Sequence, residues 1–195
     1  MSILILGLIV FLGIHSVRIV CEGCRARAVA RWGEKPWKAL HSVIALAGLA
    51  LLVWGFALAR AQPVLLWLPP LFLRHLNALF TLLAFVLVAA ACVPGNQIKA
   101  RLRHPMVLGV KLWALGHLLA THTLADAVLF GAFLLWAMLA FRAARLRDRA
   151  SGSPEARAPG RLGATLAAVG AGVLAWAAFA FWLHGSWIGI APFGI

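Results

Sequence analysis

Six apolar runs recur along this chain, at residues 2–20, 39–59, 76–93, 105–123, 125–141 and 162–183, and basic or turn-forming stretches separate most of them. About 20 residues at ~1.5 Å each cover the ~30 Å hydrocarbon core of a bilayer. Backbone crossing that core must satisfy its own hydrogen bonds, so runs of this kind are read as helices. The expected fold is all-α: a polytopic transmembrane helix bundle of about six spans, five to seven being allowed, in a single domain over 1–195. Composition agrees. The chain is 64% hydrophobic, and its 12% charged residues are about half the ~25% of globular proteins. No room is left for a separate soluble domain.

The net charge is +13. In a soluble protein that would suggest nucleic acid. Here the cations lie in the connections, where they orient spans, and no nucleic-acid partner is expected. The first, third and fifth connections hold fourteen Lys and Arg, the second and fourth hold two. This bias places the odd connections in the cytoplasm of a bacterial inner membrane and both termini on the periplasmic side. The first run lacks the basic start and small-residue cleavage site of a signal peptide and reads as a retained span. Trp32 and Trp37 lie in the first basic loop, at interfacial positions. Residues 64–73 are apolar but short and are broken by Pro69 and Pro70, so they read as interfacial or re-entrant. Residues 142–161, with six Arg plus Ser, Gly and Pro, read as a mobile basic loop. Gly163, Gly170 and Gly172 in the last run are packing candidates.

Chemistry has few residues to draw on. The five carboxylates, Glu22, Glu34, Asp126, Asp148 and Glu155, all fall outside the interiors of the expected spans, Asp126 at the very start of one. Paired-carboxylate catalysis and hard-metal sites are therefore poorly supplied. No phosphate loop, nucleophile elbow or HExxH is present. Cys21 and Cys24 have CxxC spacing, but no second pair completes a zinc site. They read as incidental thiols at a helix end, which a cytoplasmic loop would keep reduced. Imidazole is what remains. His117 falls near the middle of its expected span, with Trp113 one turn before it. Phe11, His15, Arg18 and Glu22 share one face of the first helix. Ionisable groups within spans are expensive and are functional candidates. Two neutral imidazoles from different helices suit the axial positions of a haem iron, and Arg18 and Arg103 would pair with its propionates. A structural reading without cofactor stays open.

His15, the Arg103-His104-Pro105 step, and Trp113-Ala114 with His117-Leu118 resemble the NnrU family over nearly the whole length. That resemblance implies a bacterial inner-membrane protein linked to denitrification, around the expression or activity of nitrite and nitric oxide reductases. The plant zeta-carotene isomerase is similar, which implies haem b held by two histidines, here His15 and His117, with His41 as a further candidate. A cysteine expected three residues before the fourth-span histidine is replaced by Ala114, so a switch based on that thiol is absent. Arg103-His104-Pro105 with Gly109 also resembles the isoprenylcysteine carboxyl methyltransferases, which bind S-adenosylmethionine. The acidic residues expected after the next span are missing except for Asp148.

Three classes stay open: a haem-binding accessory protein, a haem-dependent isomerase of an apolar polyene, and a methyltransferase. The haem pair carries a difficulty in depth. His15 lies about five residues and His117 about twelve from the cytoplasmic ends of their spans, a mismatch of roughly 10 Å at ~1.5 Å per residue. Tilt absorbs part of it; otherwise His15 and His41 are the better-matched pair. On topology, protease should cut within residues 142–161 from the cytoplasmic face only. Cleavage from the outer face of intact spheroplasts would overturn the scheme.

Overall fold

The structure is a computed structural model that describes residues 1–151 and 160–193. Among them, eight α-helices follow in order: α1 (Ser2–Val20), α2 (Glu22–Trp32), α3 (Glu34–Ala61), α4 (Leu71–Cys92), α5 (Gln97–Leu102), α6 (Pro105–Ala120), α7 (Leu124–Ala150) and α8 (Leu162–Ala178). The last continues into π-helical turns over Phe179–Ile188. The α1, α3, α4 and α7 helices, and α8 with its continuation, are long and apolar enough to cross a bilayer. Large apolar side chains stand exposed on them: Ile9 is 65%, Val53 60% and Leu174 72% accessible. Surfaces of that kind belong in lipid. This is an all-α, multi-pass membrane protein.

The chain divides into two compact units, Met1–Leu68 with Thr121–Ala144, and Pro69–Ala120 with Arg145–Ile195. In the first, α1 and α3 run antiparallel at backbone contact. A Cβ on Gly55 would strike the backbone of Leu4, one on Gly7 that of Leu52, and one on Gly48 would lie 2.7 Å from the Phe11 nitrogen. Between helices in lipid, close van der Waals approach replaces the hydrophobic drive, so small residues mark the contact. Leu4, Leu8 and Leu52 fill the seam and are buried.

The first basic connection is mostly helical, contrary to the loop expected from its polar composition. Cys21 caps α2 by accepting the Cys24 amide on its sulfur at 3.2 Å. Gly33, at φ +89°, ends the helix, and α3 begins at once. Residues 62–70 carry no helix. Leu65 forms an antiparallel bridge with Thr123: the Leu66 amide donates to the His122 carbonyl at 2.8 Å and the Leu124 amide to that of Val64 at 2.9 Å. The Trp67 indole donates to the Thr121 carbonyl. Of residues 64–73, expected to be interfacial or re-entrant, 64–70 form an exposed extended strap and 71–73 begin α4. Pairing satisfies part of the strap's backbone.

That pairing also changes the expected fourth span. It draws 121–123 out of helical conformation, so α6 stops at Ala120 after 16 residues. Its length of about 24 Å falls short of the ~30 Å core. A capping box starts the next helix: the Thr123 hydroxyl donates to Asp126 at 2.6 Å and accepts from the Asp126 amide. The α7 helix then runs on to Ala150. The first nine residues of the expected mobile loop are therefore helical, and 152–159 lie outside the described residues.

In the second unit α4 packs against both α6 and α8. A Cβ on Gly109 would sit 2.9 Å from the Ala84 carbonyl oxygen, and one on Gly172 would sit 2.5 Å from the Val86 Cα. Gly163 and Gly170 meet nothing within 4 Å. Of the three expected packing glycines, only Gly172 has that role. Asn96, fully buried, donates to the carbonyls of Ala90 and Val93 and accepts the Lys99 amide, joining the end of α4 to the start of α5.

Gly55→Val should lower the stability of the protein in micelles by about 1–3 kcal/mol, read by tryptophan fluorescence during denaturant titration. Gly170→Ala should leave it equal or raise it by up to about 1 kcal/mol.

Candidate functional site

The α1–α3 register carries side chains to the site. Phe11 lies over Gly48, and one turn further along α1 His15 meets His41 from α3. Their ring centroids are 5.1 Å apart at 75°. Phe11 flanks His15 at 4.5 Å. From α7, Trp136 stands edge-on to His15 at 6.2 Å, and Phe133 meets Phe11 at 5.8 Å. The result is an imidazole pair walled by aromatic rings. The His15 Nδ1–H donates to the Phe11 carbonyl at 2.6 Å. The Trp136 indole N–H is buried and has no hydrogen-bond partner. Such an orphaned donor is uncommon and costs stability.

The second unit holds His117. It stands in the last turn of α6 rather than mid-span, because the strap ends the helix at Ala120. Trp113 flanks it with centroids 5.4 Å apart. Its Nδ1–H donates to the Trp113 carbonyl at 2.9 Å. His15 and His117 therefore share one arrangement: an aromatic ring four residues earlier, and Nδ1 fastened to that residue's carbonyl. Metal-ligating histidines are commonly oriented in this way. Across the contact, Gly116 faces Asn77, whose buried Oδ1 also lacks a partner.

The two expected arginines are engaged with carboxylates. Arg18, largely exposed, meets Glu22 at 3.2 Å, and Glu22 also meets Arg25 at 3.4 Å. Arg103 meets Asp148 at 3.5 Å, and the His104 Nε2 lies 3.0 Å from the same carboxylate oxygen. The backbone here is strained. Arg103 has φ 63° and ψ −46°, and the His104 amide closes onto the Leu102 carbonyl at 2.7 Å. This is the positive-φ form of the γ-turn, which non-glycine residues rarely adopt. Pro105 follows in the first turn of α6, where its missing N–H does no harm.

Sequence reasoning missed Trp136, Phe133 and the role of Asp148. The i, i+3 spacing of the two rings was a usable sign, as was one carboxylate among arginines. The cysteines require a correction. Cys21 and Cys24 are joined as a disulfide, not left as two thiols, with Cα atoms 5.2 Å apart. The cap that starts α2 folds the chain back far enough for the bond. Among the described residues, no three His, Cys, Asp or Glu gather as a metal site.

A family model described as NnrU protein matches residues 3–192. No curated protein and no solved structure matches the chain.

Arg103→Gly and Arg103→Ala both delete the ion pair, so their difference isolates the turn. The glycine variant should be the more stable by about 1 kcal/mol or more, measured by denaturant titration in micelles. Equal stabilities would show that the turn stores no strain.

Proposed function

The chain belongs to the NnrU family, and we propose that it is a haem-b-binding protein of the bacterial inner membrane, linked to denitrification. The observation that supports this is the matched preparation of His15 and His117. Each has Nδ1 fastened to its own helix, the orientation in which Nε2 would be the ligating atom. When bound, the haem would supply a redox-active iron open to electron exchange. The chain's own residues then orient the imidazoles, wall them with Phe11, Trp113 and Trp136, and keep water away. His41 and His15 touch edge to face, a contact too close to admit a macrocycle between them. In this reading His41 packs beside the ligand His15 and does not oppose it. Arg18 or Arg103 would turn to the propionates by exchanging a carboxylate partner. For Arg18, on an exposed pair worth at most about 1 kcal/mol, that exchange is easy.

The methyltransferase alternative loses ground on the same geometry. Arg103 and His104 are both engaged by Asp148. That favours reading the step as a device that starts α6, with no S-adenosylmethionine bound. We also place both termini on the periplasmic side, from the charge bias of the connections, an arrangement that requires the short α6 to cross a locally thinned bilayer along with the five longer helices.

Purified protein supplied with haem should be red and show a Soret band. His15→Ala and His117→Ala should each abolish or sharply alter it while the protein still inserts. His184→Ala, at an exposed site near the chain's end, should leave it unchanged. Wild-type spectra in both ligand variants, or a colourless wild type, would sink the assignment.

A further inference from the structure

The Cys21–Cys24 disulfide has no part in the reading above. It lies at the α1–α2 junction and closes a loop of only two intervening residues. Cross-links over such short loops constrain the unfolded chain least, so a stabilising role is weak. Its surroundings favour reaction instead. Cys24 is exposed and Cys21 only partly covered. The Cys21 sulfur accepts the Cys24 amide at the N-terminus of an 11-residue helix. The Arg27 guanidinium lies 3.6 Å from the Cys24 sulfur. Between positions 18 and 38 the chain carries six cations against two carboxylates. Each of these features stabilises a thiolate over a thiol, and a sulfur stabilised as thiolate is a better leaving group.

We propose that Cys21 and Cys24 form a redox-active pair that exchanges electrons with a dithiol protein of the thioredoxin class. A partner thiolate attacks the exposed Cys24 sulfur. The bond between Cys21 and Cys24 breaks, and its electron pair leaves on the Cys21 sulfur, where the Cys24 amide and the helix dipole hold the charge. The partner's second thiolate then attacks its own sulfur in the mixed disulfide and expels Cys24 as a thiolate beside Arg27. The pair has gained two electrons, its thiolates take up the two protons released when the partner's thiols ionised, and the partner dithiol has become a disulfide. The reverse sequence reoxidises the pair. The proposal is independent of the haem assignment.

The test uses the full chain in nanodiscs with Cys92→Ser, which removes the remaining thiol. Thioredoxin, its reductase and NADPH should consume one NADPH per chain and expose two thiols to a maleimide-polyethylene glycol label. Thioredoxin lacking its resolving cysteine should be trapped on Cys24, identified by peptide mass. Arg27→Ala, on an exposed helix face where folding is not at stake, should slow reduction about threefold or more and raise the pH at which Cys24 is alkylated. Four results would overturn the proposal: NADPH use no greater than in the Cys21→Ser/Cys24→Ser control, thiols already labelled before reduction, trapping on Cys21, or an unchanged rate and pH profile in Arg27→Ala.

Discussion

Backbone contact between α1 and α3 sets the rest of the first unit. Gly7, Gly48 and Gly55 let the two helices approach until main chain meets main chain. In lipid no solvent drives helices together, so a seam of this closeness is a main source of cohesion. It also admits only one register. Leu4 lies against Gly55, Gly7 against Leu52, and Phe11 against Gly48. Sliding by one residue would put a side chain into a backbone. With Phe11 fixed, His15 must fall beside His41. The position of the imidazoles is thus a consequence of three absent side chains.

The carboxylates show a second kind of economy. Among the described residues, Glu22 bridges Arg18 and Arg25 across the α1–α2 junction, Glu34 pairs with Lys38 in the first turn of α3, and Asp126 closes the cap of α7. Asp148 fastens the strained step before α6. Each stands at a helix junction and is engaged in shaping it. General acid–base work by carboxylates has no free candidate in this set. Imidazole and sulfur are what remain, one pair ordered by helix packing and the other by a helix cap.

Long-range apolar patterning made the fold class legible, together with most of α1, α4 and the transmembrane part of α7. The local stripes were legible too: Phe11 with His15 and Trp113 with His117 follow from helix spacing alone. What was hidden depends on partners distant in sequence or on fine local geometry. The helical state of 22–32 rests on a sulfur cap and a terminal glycine, in a stretch whose composition reads as loop. The end of α6 is decided by a strap more than fifty residues earlier. Asp148 meets His104 across 44 positions. Gly170 and Gly172 look equivalent on paper, yet only one faces α4. The disulfide was misjudged because the compartment was weighed before the local backbone.

The strap has a topological consequence. The chain leaves the first unit at Leu68 and re-enters it at Thr121, and the hydrogen bonds between 64–67 and 121–124 tie those two points side by side. For the first unit, residues 69–120 are therefore an insertion with adjacent ends, while within the second unit α4 also packs on α8 from beyond Ala144. An insertion with adjacent ends asks little of the segment around it. A change of length in the α4–α6 segment leaves the register of α1 on α3 untouched and falls instead on α8, which packs against α4. A circularly permuted chain, opened within the turn at Pro94 and Gly95, would keep the clasp intact.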